Sequence, residues 1–157
     1  MTSFDEWLAG ARRMKPYDPE AAIDDDLVTA SASARWLDPA TTGNPARIGV
    51  LLDVPARTME FYVQELAAGV AGDLQRHRHE SVHYVIEGEG HSEIGPRTVA
   101  WRAGDLVYTP PWVWHRHYSD GPGTARMLLV ENSRLLESLG LNERESAGEV
   151  GYAERPR

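Results

Sequence analysis

The 157-residue chain contains no cysteine, which excludes disulfides, zinc–thiolate and iron–sulfur sites and cysteine nucleophiles. Positive charge is scarce: 16 Lys and Arg stand against 24 Asp and Glu, the net charge is −8, and the one lysine is Lys15. Phosphate contacts need clustered basic side chains, so no nucleic-acid partner is expected. Long apolar runs are missing as well, and none approaches the ~20 residues that span a bilayer. The opening Met1-Thr-Ser-Phe-Asp-Glu-Trp has neither the basic nor the apolar region of a signal peptide. No membrane partner and a cytoplasmic location are expected. With thiolates excluded, a transition metal would need His, Asp or Glu donors, which suit Fe(II), Mn, Zn, Ni or Cu.

What remains reads as one domain in three parts. Residues 1–47 are expected to form an N-terminal helix and an irregular arm, 48–131 a barrel, and 132–157 a C-terminal helix and loose tail. Residues 3–14 are amphipathic, with Ser3 as N-cap and Glu6 completing a capping box. The arm holds an acidic run, Asp24–Asp26, and a short strand is expected at 27–32. From Arg47 onward, runs rich in Val, Ile, Tyr and Trp recur about every ten residues, punctuated by Gly and Pro, the pattern of an antiparallel sandwich or barrel. Strands are predicted near 48–53, 58–66, 82–87, 91–94, 98–102, 106–109, 112–118 and 124–131. A closing helix is predicted over 133–140, and the tail from 146 has little to bury.

All six histidines fall between residues 77 and 117. Side chains alternate across a strand, so His77 and His79 project to one side, as do His115 and His117. One such pair on a strand plus a histidine on its neighbour can converge on one ion. A single such pair would more simply be surface or packing residues; two within forty residues point to a metal site. His91 follows a turn and reads as exposed.

The chain resembles the cupins, small double-stranded β-helix (jelly-roll) barrels. The first cupin motif is echoed by Gly72-x4-His77-x-His79 running on to Gly88-Glu-Gly90, and the second by Gly104-x5-Pro110-x-Trp112-x2-His115-x3-Ser119. The resemblance implies an all-β jelly roll with short terminal helices, His77, His79 and His115 as metal ligands, and a homodimer. Gly72 stands one residue closer to His77 than in the motif, and Trp112 and Ser119 replace a glycine and an asparagine. The motif glutamate ligand is missing. Counting forward puts His83 in its place and counting backward Ser81; Glu80 has the wrong parity and would need a bulge to reach inward.

The second motif is also similar to that of gentisate 1,2-dioxygenases, with Gly104-Asp105, Thr109-Pro110, Trp112, Trp114, His115 and His117 in their pattern. Their first motif is echoed by His77-Arg-His79 and Ile86-Glu87-Gly88-Glu-Gly90. Those enzymes hold Fe(II) with three histidines and no glutamate, and cleave a dihydroxylated ring with O2. The resemblance therefore implies a dioxygenase-type enzyme acting on a small oxygenated substrate. The alternatives are a non-oxidative Zn or Mn isomerase, cyclase or lyase, with His83 as fourth ligand or base, and a non-catalytic small-molecule binder. His83 and His117 share the inward parity of the ligands and are candidate catalytic residues. Tyr62 and Gln64, on one polar face with Glu60, are candidate cavity residues. Trp112 and Trp114 lie on the opposite parity and read as packing.

Overall fold

The computed structural model describes Ser3, Ile23 and residues 26–157. The helix expected over 3–14 lies outside the described residues apart from Ser3. Among the described residues, eleven strands run in the order β1 (Arg35–Leu37), β2 (Arg47–Val50), β3 (Glu60–Leu66), β4 (Leu74–His77), β5 (Ser81–Glu87), β6 (Glu89–Ile94), β7 (Arg97–Arg102), β8 (Leu106–Thr109), β9 (His115–Ser119), β10 (Ala125–Glu131) and β11 (Arg144–Gly148). Short helices α1 (Pro39–Thr42) and α2 (Ser133–Ser138) interrupt them. One antiparallel sheet has six strands, β1-β2-β3-β10-β5-β8, and the other five, β11-β4-β9-β6-β7. This is the antiparallel all-β architecture that the patterning predicts and the jelly roll that the resemblance implies.

Alternation decides what lies between the sheets. On β10, Ala125, Met127 and Leu129 turn inward and join Leu66, Val85, Trp101 and Val107 in the apolar core. Gly90 lets β6 lie close to β9: a Cβ there would sit 1.9 Å from the Tyr118 carbonyl oxygen and 2.6 Å from the Trp101 ring. Only glycine fits such a backbone approach.

The differences from expectation have local causes. The strand expected over 27–32 is absent; Ser31–Ser33 form a 3-10 turn, with the Ser33 N–H and hydroxyl both donating to the Ala30 carbonyl. The strand lies instead at β1, where the Trp36 ring covers Gly49 across the register and Arg47 stacks on Trp36 at 4.6 Å. The strand expected from 112 starts only at His115, because Trp112 has φ +58°, which no strand accommodates. The tail expected to be loose forms β11, paired antiparallel with β4 from Arg144 opposite His77. Neither β4 (Leu-Gln-Arg-His) nor β11 (Arg-Glu-Ser-Ala-Gly) carries the β-branched or aromatic residues that mark strands. Their partner, and the ion pair Arg76–Glu145 at 2.6 Å, hold them extended.

Candidate metal centre

The five-stranded sheet carries His77 at the end of β4 and His115 and His117 on β9, with Gln75 of β4 in register with His115. The other sheet brings Ser81 and His83 on β5. His79 lies on no strand. The chain leaves one sheet after His77 and enters the other at Ser81, so the parity that residues 77, 79, 81 and 83 would share on an unbroken strand does not carry across. Over this crossing the Arg78 N–H donates to the Glu143 carbonyl at 3.0 Å and the Glu80 N–H to Asn132 Oδ1 at 2.8 Å, so neighbouring segments satisfy the backbone.

The five imidazoles form a buried chain across the barrel. His79 and His77 stack with centroids 3.7 Å apart, and His77 meets His115 edge-on at 4.7 Å. His115 lies 5.7 Å from His117, and His117 lies 4.3 Å from His83. Burial, reinforced by the neighbouring His115 and His79, pushes the His77 pKa down to about 3. Burial and His117 likewise lower His115 to about 3, while burial and His77 lower His117 to about 4. His83 is pushed well below its ordinary value, chiefly by burial. These four rings are neutral at pH 7 and offer lone pairs instead of charge.

Their tautomers follow from their partners. A carbonyl only accepts, so His77 Nδ1–H donates to the His79 carbonyl at 2.9 Å and His115 Nδ1–H to the Val113 carbonyl at 2.9 Å. Both rings therefore keep an Nε2 lone pair, and that of His115 is buried without a partner. A carbonyl-anchored Nδ1–H that leaves Nε2 bare is how metal-binding histidines are oriented. His83 Nδ1 and His117 Nε2 are likewise buried without partners, while Ser92 Oγ stands 2.7 Å from His117 Nδ1 and accepts Trp101 Nε1–H at 2.8 Å.

His79 differs from the others. Its Nδ1 is 3.1 Å from Asn142 Oδ1 and its Nε2 is 3.1 Å from Glu131 Oε2. Burial disfavours its charge, but hydrogen bonding to Glu131 and the carboxylate's own charge outweigh burial and raise its pKa. Neither Glu131 nor Asn142 was among the sequence candidates. Neither carried a sequence signal, since alternation along 125–131 does not say which row faces inward and Asn142 follows no periodic pattern. Glu80, by contrast, is exposed and accepts the Tyr108 hydroxyl at 2.8 Å, away from the cluster.

The Tyr62 hydroxyl donates to Glu60 Oε2 at 3.0 Å, and burial with the Glu131 and Glu60 charges pushes its pKa up. Gln64 is buried further along β3, opposite Met127 and beside Gly72, whereas Glu131 pairs with Glu60. Trp114 is buried, 5% exposed, in keeping with its reading as packing, whereas Trp112 is half-buried. Arg76 stacks on both, at 4.6 and 4.7 Å, and Arg78 on Trp112 at 4.4 Å. The left-handed backbone of Trp112 directs its N–H to the His77 carbonyl at 2.6 Å, at the motif position where a glycine would carry no strain. His91 is half-buried and pairs with Asp120 at 2.6 Å. Arg126 is on the surface, paired with Glu65 at 2.6 Å.

The donor set fits a divalent ion in chemistry: neutral, oriented imidazoles, and bare buried nitrogens that nothing in the protein satisfies. Among the described residues, no three His, Asp or Glu side chains are spaced around one point. Also among the described residues, no helix is long and apolar enough to cross a membrane.

Comparison with known proteins gives a consistent picture. Residues 62–131 match the cupin domain family. A 1-hydroxy-2-naphthoate 1,2-dioxygenase of Nocardioides sp. is 27% identical over 86% of this chain and 32% of its own length. A gentisate 1,2-dioxygenase of Aquipseudomonas alcaligenes is 37% identical over 37% of this chain and 17% of its own. The matches thus span about a third or less of these dioxygenases. A 1-methylthio-D-xylulose 5-phosphate methylsulfurylase of Rhodospirillum rubrum is 33% identical over 54% of each protein. The salicylate 1,2-dioxygenase structure from Pseudaminobacter salicylatoxidans superposes with a TM-score of 0.61 at 16% identity, over 67% of this chain and 31% of that one.

Proposed function

We propose that this chain, whose barrel is a cupin domain, is a metal-dependent enzyme of dioxygenase type, with His77, His79 and His115 holding Fe(II). The observation that carries the reading is the pair His77 and His115. Each is pinned through Nδ1–H to a backbone carbonyl, and the Nε2 of His115 is buried with no partner. The dioxygenase relatives support the reaction class. Residues 48–131 act as the barrel unit, 1–47 as its arm, and 132–157 as the segment that supplies Asn142 and β11.

Fe(II) held by neutral imidazoles supplies a Lewis acid and a redox partner for O2 toward a bidentate oxygenated substrate, such as a hydroxylated aromatic acid. The protein's own part is to orient and to exclude water. Two carbonyls fix the ligand rings, Trp112 N–H holds the His77 carbonyl, and the apolar layer of Met127, Leu129 and Val85 lies beneath. His83 and His117, neutral and in ring contact, serve as inward groups for substrate contact or proton transfer, and Tyr62 and Gln64 as flanking cavity residues.

A non-oxidative Zn or Mn enzyme has one specific support, the methylsulfurylase, which is matched over a larger share of its length than the dioxygenases. One experiment separates the two readings. Protein loaded anaerobically with Fe(II) is mixed with gentisate, salicylate or 1-hydroxy-2-naphthoate in an oxygen-electrode cell. Oxygen uptake matched by ring-cleavage product is expected. No uptake with any hydroxylated aromatic acid or β-diketone would remove the oxidative reading.

A further inference from the structure

We propose that the cleft along the open edge between β7 and β8 binds a flat aromatic carboxylate, its rings against the apolar walls and its carboxylate on Arg97. β7 ends the five-stranded sheet and β8 the six-stranded one, and the turn at 103–105 joins them without pairing them to each other. Between them lies a cleft of about 610 Å³, a size typical of small-molecule sites. Val99 and Trp101 of β7, Leu106, Val107 and Tyr108 of β8, and Val113 ahead of β9 line it. Leu106 is 68% and Tyr108 49% exposed, so this apolar surface is open to a ligand.

The polar side chains of the cleft sort by what they already hold. Trp101 Nε1–H donates to Ser92 Oγ, the Tyr108 hydroxyl donates to Glu80 Oε1, and Asp105 Oδ2 accepts the Arg102 N–H at 2.9 Å. Arg97, exposed at the rim, enters no ion pair or side-chain hydrogen bond among the described residues. A free guanidinium beside apolar and aromatic walls selects a ligand that is apolar over most of its area and anionic at one end. A carboxylate matches the guanidinium fork with two parallel hydrogen bonds.

The cleft also abuts the histidines. Val107 stands opposite His83 across β5 and β8, and Ile94, another lining residue, stands opposite His115 across β6 and β9. The Val113 carbonyl accepts His115 Nδ1–H, and Trp101 is joined through Ser92 to His117. Four lining residues thus back onto three of the five imidazoles. Binding in the cleft requires no metal ion; that the bound acid is the enzyme's substrate rests on the function proposed above.

The test measures binding of 2-naphthoate and of neutral 2-naphthamide to the chelator-treated full chain by equilibrium dialysis. Saturable binding of 2-naphthoate at one site is expected, at least fivefold tighter than that of 2-naphthamide. Arg97→Gln should weaken 2-naphthoate at least fivefold and leave 2-naphthamide unchanged. Leu106→Glu, at an exposed position of the wall, should weaken 2-naphthoate by a similar factor, and Arg126→Gln, elsewhere on the surface, should change neither. Far-UV circular dichroism should be that of the wild type in all three. No saturable binding, equal affinity for the two probes, or wild-type 2-naphthoate affinity in Arg97→Gln or Leu106→Glu would overturn the proposal. Failure of the oxidative reading looks different: 2-naphthoate would bind as expected, while Fe(II)-loaded protein would consume no O2 with any hydroxylated aromatic acid.

Discussion

At the level of single residues, the site depends on which nitrogen carries the proton. His77 and His115 donate through Nδ1 to backbone carbonyls, so the free energy that orients each ring is built into the main chain. Loss of one such outer contact commonly costs 10–100-fold in metal affinity. Removing a ring that donates to the ion should therefore cost about 100-fold or more. His77→Ala and His115→Ala are expected to retain no metal after dialysis against micromolar Mn(II), measured by elemental analysis; wild-type occupancy in either would strike that residue from the centre. The histidine spacing was legible because cupin-like His-x-His pairs are local. Glu131 and Asn142 were not, since each lies more than 50 residues from His79 along the chain and meets it only through the fold.

Strands and turns show where local pattern ends. The strands with alternating Val, Tyr, Leu and Met (β3, β5, β10) were readable because their inward rows are apolar at one end of the barrel. β4 and β11 were not, because their inward or mutual faces are polar and pairing alone keeps them extended. The crossing at 78–80 escaped period-2 counting for the same reason. The β6–β9 contact is the tightest of these features. Gly90→Ala would drive a methyl into the Tyr118 carbonyl and the Trp101 ring, so β6 must move away from β9. A loss of about 3 kcal/mol is expected, at the upper end for overpacking. It would appear as a lower urea midpoint with unchanged slope; a change under 1 kcal/mol would mean that the strands are not held at this spacing.

For the whole molecule, the polar layer makes stability depend on pH. In metal-free protein, His77, His115 and His117 have folded pKa values of about 3, 3 and 4, against an ordinary 6.5, and His83 is shifted the same way. Unfolded chains take up protons from pH 6.5 downward, whereas the folded barrel resists until pH 3–4. Stability is therefore full above pH 6.5 and falls as the solution is acidified toward pH 4, by up to ~1.4 kcal/mol per pH unit for each ring. His79, shifted upward, works in the opposite direction: its contribution is complete below 6.5 and fades as pH rises through its folded value. Four groups outweigh one. Guanidinium melts of chelator-treated protein at pH 7, 6 and 5 should show a steady fall, and a flat or rising series would contradict the burial of these rings. A saturating divalent ion at 100 times its Kd should raise stability by about 2.7 kcal/mol at pH 7.

The sequence by itself determined the class of fold and the presence of a histidine cluster, because both are written in short-range periods: alternation of two along strands and glycine or proline at the turns. It also excluded thiolate chemistry outright, through composition alone. Only the tertiary structure decided which carboxylate stands beside the histidines, which tautomer each ring holds, and what the C-terminal segment does. Those answers depend on residues far apart in the chain meeting across two sheets, where burial and a fixed carbonyl set the position of each proton. The two His-x-His pairs placed the imidazoles; Glu131 and Asn142 reached them only when β10 and the chain ahead of β11 closed on that end of the barrel.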